Sequence, residues 1–327
     1  MLLVFSFARS GSTLLLDFLS DLLGFNRVFE PLMREPEKIN GHPDFEDVHD
    51  WFRGAPREHK LHDYKIGDFY LGHIPETAFN SNQIKLHKEK LKNYLGHIYH
   101  YYGENTVIKF VRQQGNIPFF HSIMRELNIT PGYILLKRNP YEIAYSYYRM
   151  GGFHRRSTWG VNRLFQYRKQ MYRGESEQTE TMFNHAKNPF DKLIAAILAD
   201  YRTFDISAGW LRDKGVPVVQ LGYEHFIKNT PGCCRRISIM FNIPVSDEAV
   251  RKTISRCNIN PHKVAAGQTD PLYSYLAQKS RLRMTPYLSQ FPPHPPSRTG
   301  GGEIKTPACQ IVFEECTTLF KSSVRCP

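Results

Sequence analysis

The 327-residue sequence lacks several patterns that would assign it to a class directly. No run approaches the ~18 consecutive apolar residues of a membrane-spanning helix, so we expect no transmembrane segment. No C-x-x-C or H-E-x-x-H pair occurs, and we expect no metal site. No internal repeat is evident.

Cysteine is missing from the first two thirds of the chain. We expect reduced thiols in a reducing compartment, and a disulfide within the tail is the alternative. Residues 1–7 lead into a polar turn without a signal-peptide cleavage pattern. If Met1 is the natural start, the expected location is the cytoplasm; if an N-terminal anchor belongs to the natural protein, it is the Golgi lumen. The six cysteines are Cys233, Cys234, Cys257, Cys309, Cys316 and Cys326.

The formal net charge of +12 and the pI near 9.4 favour an anionic partner. Nucleic acid, a phosphate-bearing cofactor, an acidic glycan and a membrane surface all fit this charge. The basic residues are scattered rather than gathered in one run, so we predict no nucleic-acid partner.

Short apolar or β-branched runs alternate with helical patterns along the chain. This alternation predicts an α/β fold with a P-loop-NTPase-like parallel sheet and helices on both faces, in a single domain with insertions. Ligands bind such sheets beyond the carboxyl ends of the strands. The predicted strands are 2–7, 106–111, 133–137 and 216–221, and the predicted helices are 12–23, 141–150, 189–206 and 231–241.

Composition divides the chain into a domain, residues 1–285, a Pro/Gly-rich linker, 286–307, and a tail, 308–327. We interpret 34–105 and 149–188 as insertions on the acceptor side. The first holds eight of the fourteen histidines, at spacings that match no metal motif, so we expect surface histidines. Arginines and aromatics interleave in the second, which fits either an acceptor surface or a solvated helix face. These residues include Arg149, His154, Arg155, Arg156, Trp159, Arg163, Phe165, Tyr167, Arg168, Lys169, Tyr172 and Arg173.

The stretch "VFSFARSGSTLL" has the chemistry of an anion-binding loop. A glycine allows close approach of backbone N–H groups, hydroxyls add donors, and the positive end of the following helix points to the same place. Arg9 adds a fork of donors. Ser12 stands where the Walker loop has lysine, which weakens an NTPase interpretation. The predicted anion-binding residues are Arg9, Ser10, Gly11, Ser12, Thr13 and Leu14.

The loop resembles the 5′-phosphosulfate loop of sulfotransferases that use 3′-phosphoadenosine 5′-phosphosulfate (PAPS). "YILLKRNPYEIAYSYYRM" is similar to the 3′-phosphate motif of that family, with Arg138 and Ser146 at the family spacing. "VPVVQLGYEHF" resembles the later strand and Tyr-Glu segment, which implies adenine contact for Tyr223. Lys263 is a further implied cofactor contact, in a segment that replaces the usual Arg-Lys-Gly loop.

The resemblance implies sulfuryl transfer from PAPS to a hydroxyl of a small molecule, glycan or peptide. Histidine-base members carry a histidine where this chain has Val111, so the resemblance is closer to the branch that uses a glutamate. It implies Glu30 as general base, with Arg9 and Lys109 stabilising the transferring group or the leaving phosphate. Because Glu30 precedes Pro31, we expect an extended backbone there. His121 is the alternative base.

Two other functions remain open at this point. A P-loop kinase-like enzyme would require Mg²⁺ and ATP. A non-catalytic binder of polyanions would show a strongly salt-dependent affinity.

Overall fold

The computed structural model of the chain describes residues 1–30, 82–111, 113–150 and 160–259, with positions 275, 278–280, 283–284 and 286–287. Five strands are present in this part of the chain: β1 (Leu2–Ser6), β2 (Asn26–Phe29), β3 (Thr106–Phe110), β4 (Gly132–Lys137) and β5 (Val218–Gly222). The longer helices are α1 (Ser12–Leu23), α2 (Asn82–Tyr102), α3 (Ile117–Glu126), α4 (Pro140–Arg149), α5 (Val161–Met171), α6 (Glu177–His185), α7 (Pro189–Asp213), α8 (Tyr223–Lys228), α9 (Thr230–Phe241) and α10 (Asp247–Arg256). Within these residues, no helix combines the length and apolarity needed to cross a membrane.

The strands form one parallel sheet in the order β2-β3-β1-β4-β5. β1 lies at the centre, where Leu2 pairs with both Val107 of β3 and Gly132 of β4. All five residues of β1 are buried, as expected for a continuous apolar run in a sheet covered on both faces. The carboxyl ends of the strands therefore meet at one edge.

Alternate residues of β1 face two separate cores. Leu3 and Phe5 pack with the residues of α2 to α7, whereas Leu2 and Val4 pack with those of α1, α8, α9 and α10. This period of two is the strand geometry that places successive side chains on opposite faces. The predicted α/β sheet with helices on both faces is confirmed.

Each predicted strand and helix is present within a few residues, and Gly24 ends α1 in the left-handed region as a C-cap. The helix predicted over 189–206 extends to Asp213. β2 was not predicted, because only Val28 and Phe29 of its four residues are buried. α2 occupies the end of the predicted insertion 34–105, and its buried apolar side chains lie in the core that contains Leu3 and Phe5.

Several predictions fall outside the described residues. These are residues 34–81 of the first predicted insertion with their histidines, Lys263, the linker 286–307 as a unit, the tail cysteines and residues 151–159 of the basic aromatic segment. Cys233, Cys234 and Cys257 are thiols. The domain boundaries stay a prediction.

Candidate active site

The segment between β1 and α1 is shaped as an anion-binding loop. Arg9 and Gly11 both adopt positive φ, at 67° and 83°. The first hydrogen bond inside α1 runs from Leu15 N–H to the Gly11 carbonyl at 3.2 Å. The N–H groups of Ser12, Thr13 and Leu14 precede that bond and have no partner within the helix. The positive end of α1 therefore faces the loop.

Two hydroxyls in this part of the chain, one at the end of β1 and one in the loop, are buried. Ser6 Oγ and Ser10 Oγ are fully buried and have no hydrogen-bond partner among the described residues. A buried hydroxyl without a partner is costly unless something else satisfies it. These two oxygens have no exposed surface that an anion could contact, so they are a local cost of this turn.

Tyr223, the first residue of α8, lies against the loop. A Cβ at position 11 would lie 2.1 Å from Tyr223 Cε2, so only glycine fits beneath this ring. The guanidinium carbon of Arg138 lies 4.9 Å from the centre of the same ring. The structure thus brings the predicted adenine residue to both predicted phosphate motifs.

Arg138 and Arg9 connect the two predicted phosphate motifs directly. Arg138 Nη1 donates to the Arg9 carbonyl at 2.9 Å, and Arg9 Nε donates to Ser146 Oγ on α4 at 3.0 Å. These residues are 129 and 137 positions apart in sequence and meet because the carboxyl ends of β1 and β4 are adjacent. The structure thus brings Arg9, Arg138 and Ser146 together, and their role in binding phosphate stays a prediction.

Two residues that the sequence reasoning missed hold the Arg138 turn. The Tyr201 hydroxyl accepts from Arg138 N–H at 2.7 Å and donates to the Arg138 carbonyl. Glu224 Oε1 accepts from Asn139 N–H at 2.9 Å, and it lies 4.0 Å from Arg138 Nε. Burial raises the pKa of Glu224, opposed by the Asn139 N–H and by Arg138. The position of Glu224 directly after Tyr223 was the available signal.

Glu30 and Lys109 form an ion pair beside the loop. Lys109 Nζ lies 3.1 Å from Glu30 Oε1 and donates to Thr13 Oγ1 at 3.0 Å. It also lies 3.5 Å from the centre of the Phe29 ring. The side chains are only 2% and 13% exposed for lysine and glutamate. Burial lowers the pKa of Lys109, and the Glu30 carboxylate opposes that shift.

The backbone of Glu30 differs from the sequence-based prediction. Its φ is 39°, in the left-handed region rather than extended. Glu30 N–H donates to the Lys109 carbonyl at 3.0 Å, so both its backbone and its side chain bind Lys109. These contacts override the preference of a residue before proline. A non-glycine residue with this φ costs about 1–3 kcal/mol and is characteristic of functional sites.

His121, the alternative base, is remote from this group. It lies on α3, where Nδ1 is 3.1 Å from the Tyr133 hydroxyl and the ring packs edge-on against Trp210. Tyr133 is the second residue of β4, towards the amino end of the sheet. Burial, with smaller contributions from Arg125 and Lys214, lowers the pKa of His121 to about 4. The alternative is therefore wrong.

The basic aromatic segment is partly a core element. Arg168, Phe165 and Tyr172 are buried, and Arg168 pairs with Asp200 at 3.0 Å. Lys169 is exposed and donates to Asn184 at 2.9 Å. Arg168 on α5 therefore points inward and does not belong to an exposed basic surface. The assignment of 149–188 to the acceptor side stays a prediction.

Comparison with known proteins gives a family for most of the chain. No curated protein matches. Among solved structures, the sulfotransferase domain of the curacin biosynthetic pathway is 14% identical, covering 85% of this chain and 96% of that chain, with a TM-score of 0.46. The corresponding domain of the Synechococcus PCC 7002 olefin synthase is 17% identical, over 85% and 93%, with a TM-score of 0.44. A Mycobacterium avium sulfotransferase is 15% identical, over 89% and 76%, with a TM-score of 0.42. Residues 1–283 match the family described as the sulfotransferase domain, and the chain belongs to that family.

Proposed function

We propose that this sulfotransferase uses PAPS as its donor and Glu30 as the general base toward a hydroxyl acceptor. The observation that carries the proposal is the Glu30–Lys109–Thr13 contact beside the phosphate-binding loop. It joins a carboxylate, a buried cation and the start of α1. General base catalysis and charge stabilisation need this combination.

The residues present fit a donor with two phosphate groups. The loop offers the first N–H groups of α1 to the 5′ end. Arg138 and Ser146 are the candidates for the 3′-phosphate, and Tyr223 for the adenine. When bound, PAPS supplies the sulfuryl group together with a phosphate leaving group.

The chain's own residues divide the remaining work. Glu30 accepts the proton of the acceptor hydroxyl, and the contact through Oε1 with Lys109 keeps its carboxylate in place. Lys109 and Arg9 bring positive charge to the loop, where negative charge develops on oxygen atoms. The low exposure of the ion pair reduces screening by water, which strengthens these interactions.

Thermal unfolding with adenosine 3′,5′-bisphosphate tests the donor. A ligand that binds only the native state raises the melting temperature by mass action. We expect stabilisation without Mg²⁺. Stabilisation by Mg-ATP alone would contradict the proposal and favour a kinase-like enzyme.

Glu30→Gln tests the base. We expect turnover with labelled PAPS and a panel of hydroxyl acceptors to fall by about 10²–10⁴-fold, while the bisphosphate still binds. Glu126→Gln is the matched control, because Glu126 also pairs with a buried lysine, Lys88, but lies on α3. The role of Glu30 would be refuted by equal turnover in the two variants.

A further inference from the structure

The β1–β3 pairing is continued beyond the sheet by a side chain. The paired register ends at Phe5 and Phe110, one residue before Ser6 and Val111. Gln114, in the short 3₁₀ turn Gln114–Asn116, donates from Nε2 to the Ser6 carbonyl at 2.7 Å and to the Val111 carbonyl at 2.8 Å. An amide nitrogen has two protons, so both bonds form at once. Gln114 thus joins the two strand ends after the backbone pairing stops.

A buried ionic chain fixes the orientation of this amide. Arg168 Nη2 donates to Gln114 Oε1 at 3.0 Å and lies 3.0 Å from Asp200 Oδ2. Tyr172 donates its hydroxyl proton to the other oxygen of Asp200. Because the arginine can only donate, Gln114 must present its oxygen to Arg168 and its nitrogen to the strands. The contacts therefore run without a break from α7 to the edge of the sheet.

Stability alone does not explain these buried hydrogen bonds and this ion pair, because burying their polar groups costs free energy. Gln114 and Asp200 are 0% exposed and Arg168 is 2% exposed. A buried ion pair is often no more stabilising than apolar residues of the same volume, since both charges lose their hydration. A role in fixing the orientation of Gln114 accounts better for the presence of this ion pair. The strand ends that Gln114 joins lie next to the functional groups: Ser6 is the last residue before the β1–α1 loop, and Val111 follows Lys109 by two residues.

We propose that Gln114 and Arg168 are positioning residues that hold the end of β3 against the start of the phosphate-binding loop and so keep Lys109 on Thr13 and Glu30. The catalytic part of this inference rests on the proposed function. Neither residue touches the reacting groups, and both act through Lys109. The Arg138 turn has separate supports in Tyr201 and Glu224.

Gln114→Met tests the proposal, because methionine has a similar volume and no donor for the two carbonyls. We expect turnover to fall by about tenfold or more, since a displacement of about 1 Å in a reacting group can cost about 10²-fold. Affinity for adenosine 3′,5′-bisphosphate should fall much less than turnover does, because the Arg138 turn proposed for its 3′-phosphate has separate supports in Tyr201 and Glu224. Arg168→Lys should give a smaller loss of turnover. The lysine keeps a cation beside Asp200 but lacks the several donors with which the guanidinium group binds Asp200 and Gln114 together.

Asp191→Asn is the matched control. Asp191 is a fully buried carboxylate on the same helix, α7, and is paired with Arg283 at 2.8 Å. We expect it to lower the melting temperature while leaving turnover at wild-type level at a temperature where both variants are folded. If Gln114→Met has the same turnover as Asp191→Asn, the positioning role is refuted.

A second readout needs no acceptor and no donor. NMR titration of ¹³C-labelled lysine side chains, with the Lys109 signal assigned from Lys109→Met, reports the hydration of this ammonium group. We expect its pKa to rise toward the ordinary lysine value in Gln114→Met but not in Asp191→Asn, because burial is the main cause of the lowered value. An unchanged Lys109 titration overturns the inference even if PAPS is not the donor. Wild-type protein without PAPS turnover, with the Lys109 shift still present, contradicts only the proposed function.

Discussion

Replacing Gly11 with alanine probes the contact between the phosphate-binding loop and Tyr223. The positive φ of Gly11 gives an alanine a backbone cost of about 1–2 kcal/mol. A Cβ would also lie 2.1 Å from Cε2 and 2.4 Å from Cδ2 of Tyr223, so the ring must move. Overpacking of this kind costs about 1–3 kcal/mol. We expect the free energy of unfolding to fall by about 2–5 kcal/mol in total.

Gly24→Ala separates the two contributions. Gly24 has φ 64°, and an added Cβ would meet no heavy atom of the described residues within 4 Å. This variant should lose only the backbone part, about 1–2 kcal/mol. In a Tyr223→Ala background, the free-energy cost of Gly11→Ala should fall to the same value as that of Gly24→Ala, since the ring has been removed. The difference between the two backgrounds is the coupling between Gly11 and Tyr223.

Urea denaturation of the four proteins of this cycle, with Gly24→Ala beside them, gives the free energies. Displacing the ring from the loop should also weaken the binding of adenosine 3′,5′-bisphosphate. Titration of each protein with this ligand measures that loss of affinity. Equal costs for Gly11→Ala in both backgrounds would refute the packing of Tyr223 on the loop. So would a cost for Gly11→Ala no larger than that of Gly24→Ala.

Three further substitutions address separate parts of the structure. Tyr201→Phe leaves the N–H and carbonyl of Arg138 without their partner. We expect the free energy of unfolding in urea to fall by about 1–3 kcal/mol and the bisphosphate to bind more weakly. Unchanged binding would contradict the role of Tyr201 in supporting the Arg138 turn. Lys109→Met should reduce turnover by about 10²–10³-fold while preserving bisphosphate affinity, and wild-type turnover would remove Lys109 from the mechanism. His121 has its pKa lowered from 6.5 to about 4, so between these values the unfolded chain binds a proton that the folded chain does not. The free energy of unfolding should therefore fall by about 3 kcal/mol as the pH falls from 6.5 to 4. In His121→Gln, whose amide can still form a hydrogen bond with Tyr133, the fall over the same range should be smaller by that amount.

Local sequence was sufficient for the elements that lie at the centre of the fold. The runs at 2–7 and 133–137 are continuous apolar stretches, and burial on both faces of a parallel sheet selects such stretches. Because parallel strands end at one edge, the sequence places the turns of Arg9 and Arg138 at that edge. The adjacency of β1 and β4 in the sheet then brings the two turns together. β2 escaped prediction because a four-residue strand with two buried positions has too little periodicity to detect.

The resemblance to sulfotransferases pointed to Glu30 and Lys109, but it held no information about their geometry. Their ion pair depends on the parallel pairing of Phe29 with Lys109, which brings the end of β2 beside β3. The left-handed backbone of Glu30 follows from its two contacts with Lys109 and opposes the local preference before proline. Local propensity therefore gave the wrong backbone for the proposed base.

The sequence by itself determined the α/β fold and the position of the turn between β1 and α1, because hydrophobic periodicity and short motifs are local properties. Only the tertiary structure decided that Arg168 turns inward and that Gln114 joins two strand ends. Two of the three partners of Gln114, Arg168 and Ser6, lie 54 and 108 residues away, at distances where no sequence pattern connects two positions. An arginine on a helix is a surface residue or a buried one according to what packs on that face, and here α7 brings a buried carboxylate, Asp200, to meet it.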